Sequence, residues 1–332
     1  MYISGLIVGL LLGFLLQRGQ FCLSGQLRNI IFKRDLASMS PLLIAISVQS
    51  VGYFILTTMN VIHLPSSPMP ILATISGAFL FGVGMAVANR CVSGQMYRAG
   101  EGMIAAWVTL IVFALTMAAT QTGFLKFWLA DMLQTNSQLV TFPQSLGISS
   151  LWLIVPLCVF SLFACCKSAP RENTPFLPKS PLRQFWSPHF TGLLLGVLAV
   201  TAWILSEQTG RNFGFSFSIP LGNVVQYVVT GQQRYLNWGT YLVFGVILGS
   251  LVSALLSGTL QWKSLSPADY GKSVSGGILM GIGATLTGGC TMANVVVGTA
   301  YFSWQAWVAT FVMMFGAWCV FRLKKDPLEK VC

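Results

Sequence analysis

Long apolar runs, separated by short polar stretches, dominate the chain. They fall at about 3–16, 41–59, 70–88, 102–123, 146–166, 190–206, 238–257, 274–286 and 304–323. A membrane-spanning helix needs about 20 such residues, so the pattern predicts about nine transmembrane helices. The first and eighth runs are short, and the third becomes glycine-rich near its end. Each of these three passes into a Gly/Cys/polar stretch, as discontinuous, re-entrant helices do. The expected fold class is therefore an all-α polytopic membrane protein with short broken helices.

Composition points the same way. Of 332 residues, 55% are hydrophobic and only 8% charged, with a mean hydropathy of +0.73. Soluble domains carry about 25% charged residues, so this chain cannot solvate a globular surface of its size. The net charge of +11 would suggest nucleic acid in a soluble protein. Here the basic residues sit mainly between apolar runs, and no nucleic-acid partner is expected.

The basic loops give an orientation. Arg28, Lys33 and Arg34 follow the first run, and Lys167, Arg171, Lys179 and Arg183 the fifth. Lys263 and Lys272 follow the seventh, and Arg322, Lys324, Lys325 and Lys330 the ninth. With nine spans these loops share one side, expected to be the cytoplasm, with the N-terminus outside and the C-terminus inside. The N-terminus lacks a basic segment and a small-residue cleavage site, so it is expected to belong to the mature protein.

The stretch 167–189 is rich in proline and lysine and reads as a cytoplasmic linker. It divides an N-terminal membrane half with a connecting span, 1–166, from a C-terminal half, 190–332. An odd connecting span turns the second half over, which predicts an inverted internal repeat.

One motif recurs three times, around Cys22, Cys91 and Cys290. Glycine stands nine residues before each cysteine (Gly13, Gly82, Gly281), and an amide stands four after it (Gln26, Gln95, Asn294). A weaker fourth copy runs from Arg211 through Gly214. An apolar helix that stops inside a bilayer frees backbone groups that must be satisfied in protein or in a cavity. A new helix starting there points its positive end inward, which suits an anion. Arg18 and Arg90 lie close before Cys22 and Cys91, and arginine at membrane depth defaults to a functional reading.

A thiol is a weak donor on a polarizable atom. Such a site holds a soft anion loosely enough to release it. A thiolate would repel an anion, so the thiols are expected to stay protonated. With two histidines and no Cys-x-x-Cys pair, neither a metal site nor a cofactor is expected. Cys158, Cys165, Cys166, Cys319 and Cys332 match no repeat position and read as packing residues.

The motifs Gln-Arg-Gly-Gln-Phe-Cys22-Leu-Ser-Gly, Arg90-Cys91-Val-Ser-Gly, Tyr97-Arg98-Ala-Gly-Glu101-Gly and Gly288-Gly-Cys290 resemble those of the YeeE/YedE family of membrane proteins. So does Ala45-Ile-Ser-Val-Gln-Ser-Val-Gly52. The resemblance covers nearly the whole chain. It implies a transporter of the bacterial inner membrane, not an enzyme. It implies thiosulfate as substrate, passed along Cys22, Cys91 and Cys290, and a small TusA-like sulfur-carrier protein as cytoplasmic partner. Where the family pattern has Gly-Gly-Cys, this chain has Asn89-Arg90-Cys91, which adds positive charge beside the path. Arg18, Arg90, Gln26, Gln95 and Asn294 complete the expected substrate-binding set. Two other readings stay open here. One is a carrier of another sulfur or selenium species. The other is a membrane sulfurtransferase forming a cysteine persulfide.

Overall fold

The computed structural model describes residues 2–33, 36–65, 68–134, 137, 139–167, 186–263 and 266–323. Among these the chain is helical, with only isolated bridges between Met103 and Lys263 and between Thr141 and Ser303. The nine apolar runs become α1 (Ile3–Gly19), α3 (Ser40–Thr58), α4 (Ile71–Val87), α6 (Ile104–Gln121), α9 (Leu151–Lys167), α10 (Pro188–Glu207), α12 (Trp238–Ser257), α13 (Pro267–Leu286) and α14 (Trp304–Leu323). Shorter helices lie between them: α2 (Leu23–Lys33), α5 (Val92–Gly100), α7 (Leu125–Gln134), α8 (Phe142–Leu146) and α11 (Ser218–Thr230). A π-helical turn covers Met292–Gly298.

Seven segments are long and apolar enough to cross a membrane, α1–α2 and α4–α5 each counting as one. The other two apolar runs differ for clear reasons. The apolar part of α9, Leu151–Cys165, is shorter than a full span. α13 opens with Asp269 and Lys272, which pair at 3.3 Å and make its first turns polar. Large apolar side chains such as Ile7, Leu11, Ile111, Phe311 and Phe315 point outward, as lipid-facing positions do. The chain is a multi-pass membrane protein. Residues 168–185, Arg34 and the last basic residues Lys324, Lys325 and Lys330 lie outside the described residues.

Glycines set the helix contacts and record their direction. Gly5, Gly9 and Gly13 of α1 lie against Trp238, Leu242 and Val246 of α12, so these helices run parallel. Gly192 and Gly196 of α10 meet Pro41 and Ala45 of α3, and Gly52 meets Val200, again in parallel. Gly77 of α4 meets Leu286 while Gly276 of α13 meets Ala88, so that pair is antiparallel. Such close approach is what small residues permit in a bilayer.

Four backbone turns recur in the same order over residues 20–102 and 210–302, with a further one at Gly231 after α11. A residue of positive φ ends α1 at Gln20 and α10 at Gly210. Others follow α3 at Asn60 and α12 at Gly258, α4 at Asn89 and α13 at Gly288, and α5 at Gly102 and the π-turn at Phe302. The accompanying hydrogen bonds match as well. Phe21 N–H reaches Leu16 O, and Arg211 N–H reaches Ser206 O. The corresponding bonds are Val61 to Leu56 and Thr259 to Ala254, then Met103 to Arg98 and Ser303 to Gly298. These are helix-ending turns with one left-handed residue.

Candidate functional site

Each motif cysteine sits where one helix has ended and the next begins. The backbone N–H of Gln26, Gln95 and Asn294 closes the first turn on the carbonyl of Cys22, Cys91 and Cys290, at 3.0, 2.9 and 2.9 Å. The four-residue spacing is thus that of an opening helical turn. Cys91 caps α5 in an extended conformation and makes no side-chain cap bond. Entry helices α10, α12 and α13 are instead capped by Ser187, Asn237 and Ser266, as helix N-termini prefer.

Two of the three thiols meet. Cys22 Sγ and Cys91 Sγ lie 3.4 Å apart, and the Ser93 hydroxyl lies 3.1 Å from Cys91 Sγ. Both cysteines are buried, as is Cys290. Gly94 allows the approach, because a Cβ there would stand 2.7 Å from Cys22 Sγ. Cys290 makes no hydrogen bond with either thiol among the described residues. Its break follows Leu286, which lies beside Gly77, whereas Ala88 lies beside Gly276. About ten residues of helix, roughly 15 Å, separate the two levels.

The other expected site residues divide. Gln95 Nε2 donates to Ala88 O at 3.2 Å, and Asn294 Nδ2 donates to Gly289 O at 3.0 Å. Both amides thus satisfy carbonyls freed at their own breaks, as buried backbone requires. Gln26 differs: its Oε1 is buried without a partner. Arg90 Nη1 donates to the Tyr97 hydroxyl at 2.8 Å, and its guanidinium lies over the Tyr97 ring. Arg18 stacks on Phe14, and its carbonyl accepts from Trp186 N–H at 3.2 Å.

A polar cluster beside the Cys22 break was only partly legible in the sequence. Glu101 pairs with Arg98 at 3.0 Å. Its Oε1 also accepts from Gln17 Nε2 at 3.1 Å and Gln20 Nε2 at 3.2 Å. Gln17 is held further by Thr259 and Ser253, and Gln261 N–H binds Glu101 O. The Glu101 carboxylate therefore ties the end of α1 to the end of α5, and the Glu101 backbone carbonyl and Gln17 hold the segment after α12. The signal available was polar residues at the ends of apolar runs, but spacing along the chain does not show that they converge.

Comparison with known proteins fits this geometry. The family model for sulphur transport matches residues 18–319. The chain is 34% identical over 327 residues to a protein named thiosulfate transporter TsuA from Escherichia coli K12, covering 96% of this chain and 93% of that one. It is 28% identical over 339 residues to a protein of the same name from Spirochaeta thermophila, covering 96% and 99%. A shorter match, 28% over 105 residues, links it to the probable transporter YedE of Escherichia coli K12, covering 31% of this chain and 25% of that one. The chain belongs to the sulphur transport family of membrane proteins.

Proposed function

We propose that this protein takes up thiosulfate across the bacterial inner membrane, passing the anion along Cys22, Cys91 and Cys290. The observation that carries the reading is the thiol pair at two converging helix breaks, 3.4 Å apart. A neutral S–H offers an anion a weak, reversible contact. The uncapped start of α5 adds the partial positive charge of a helix N-terminus. The names of the two full-length relatives point to thiosulfate. Among the described residues no histidine or carboxylate hydrogen-bonds to a motif thiol, which favours transport over persulfide chemistry.

The inverted repeat is part of this proposal, and the matched turns support it. They pair α1 with α10, α3 with α12 and α4 with α13. The end of α1 meets the start of α10 at Gly19 and Thr191, and Arg211, just after α10, lies over Trp238 beside Ser4 at the start of α1, so those two run in opposite directions. α12 runs with α1, and α3 runs with α10. Each pair is then antiparallel, as inversion demands. This pairing makes Cys91, rather than Cys22, the counterpart of Cys290. One cysteine level would lie toward each membrane face. On this reading the N-terminus lies outside and the C-terminus in the cytoplasm. A TusA-like carrier on the cytoplasmic side is kept as the proposed recipient.

The test is radiolabelled thiosulfate uptake in cells lacking other importers. Cys→Ala at positions 22, 91 and 290 should each lower uptake at least about tenfold, a loss near 1.4 kcal/mol, at unchanged expression. Cys→Ser should restore only part, because a hydroxyl costs more to desolvate. Normal uptake by the triple alanine variant would falsify the relay.

A further inference from the structure

We infer that Arg211 forms a second anion site, which captures a tetrahedral oxyanion at the mouth opposite the basic loops. The inference rests on the transport reading above and adds an entry point to it.

Arg211 stands just after the Gly210 turn that ends α10. Its backbone is fixed on both sides by one residue: Arg211 N–H donates to Ser206 O at 3.3 Å, and Ser206 Oγ donates to Arg211 O at 3.1 Å. The side chain then lies against the first turns of two helices. Nη1 would be 3.1 Å from a Cβ on Gly239, and Pro220 Cγ would be 2.7 Å from the same point. Gly239 is the second residue of α12, and Pro220 the third of α11. Only a residue without a side chain at 239 leaves room for the guanidinium there.

This placement reverses the favourable one. Cations stabilise helix C-termini and anions N-termini, yet here a guanidinium sits at two N-termini. α11 has no side-chain cap. Nη1 is buried and has no hydrogen-bond partner. Among the described residues no carboxylate pairs with Arg211. The nearby Glu207 binds His63 at 3.1 Å and Trp203 Nε1 at 3.3 Å instead. The Trp238 ring lies 5.8 Å from the guanidinium carbon. It holds the plane of the group but offers no acceptor to its N–H donors. Two further polar groups at the start of α11, the hydroxyls of Ser216 and Ser218, are also buried without partners. Their residues are 2% and 0% exposed. Cation, unpaired donors and two positive helix ends are complementary to a compact, multiply charged oxyanion.

The end of the molecule is the one suited to entry. Trp238 Nε1 bonds Ser4 Oγ, and Tyr2 stacks on Tyr241, which puts Arg211 beside the start of α1. The Cys22–Cys91 pair and the Glu101 cluster lie beyond the other end of α1.

The experiment is equilibrium binding of radiolabelled thiosulfate to the full-length purified protein, together with uptake in proteoliposomes. Arg211→Gln should raise the Kd about tenfold and raise KM similarly with little change in kcat. Arg211→Lys, which keeps the charge but not the fork, should fall between. The variant lacking all three motif cysteines should still bind through Arg211, so failure of the relay and failure of this site are distinguishable. An Arg211→Gln protein that elutes as folded and both binds and transports like the parent overturns the inference. A drop in co-purifying phospholipid with thiosulfate binding unchanged also overturns it, by assigning the guanidinium to a lipid headgroup.

Discussion

At the Gln20 turn the polar groups answer one another. Glu101 faces Arg98, Gln17 and Gln20, while Arg90 finds the Tyr97 hydroxyl. At the matching Gly210 turn they do not: Arg211 Nη1 and the hydroxyls of Ser216 and Ser218 have no partner. The backbone hydrogen bond is the same in both places. The difference lies in the side chains: Glu101 collects the donors at the first turn, whereas at the second Glu207 is taken by His63 and Trp203. A repeated backbone device can therefore serve as a locked joint at one end and, under the proposal above, as a charged opening at the other.

Substitutions can break or sharpen that contrast. The largest effect is expected for Glu101→Gln, which leaves Arg98 without its buried counter-charge. It should cost about 3 kcal/mol, read as a lowered midpoint of thermal unfolding in detergent. A midpoint equal to the parent's would mean that the cluster is not a joint. Gly94→Ala comes next. Its Cβ would press on Cys22 Sγ and part the thiols, so uptake should fall about tenfold, with the unfolding midpoint moving less than for Glu101→Gln. Asn294→Ala should cost about 1 kcal/mol, because the Gly289 carbonyl keeps the Thr287 hydroxyl at 2.8 Å. The smallest change is expected for Arg211→Gln, within about 0.5 kcal/mol of the parent, since Arg211 Nη1 has no hydrogen bond to lose. Strong destabilisation there would show that Arg211 is a structural anchor.

Much of the architecture was legible in the sequence because it depends on local quantities. Apolar runs of membrane length become helices whatever they pack against, since a bilayer leaves the backbone no other way to satisfy itself. The Cys-x-x-x-amide spacing marked three helix starts. The short helices α7, α8 and α11 were not read, because each is shorter than a membrane-spanning run. Hydropathy counted nine runs where seven segments qualify as spans, because the apolar part of α9 is short and the first turns of α13 are polar.

What the chain alone determined is where helices form and where they break, for both follow from composition within one or two turns. Tertiary structure decided which breaks meet. Cys22 and Cys91 are 69 positions apart, and they touch because Gly94 lets one break close on the other. Tertiary structure also gathered Gln17, Gln20 and Thr259 around Glu101. Such choices depend on side chains from distant segments competing for the same donors and acceptors, and that competition exists only once the helices are packed.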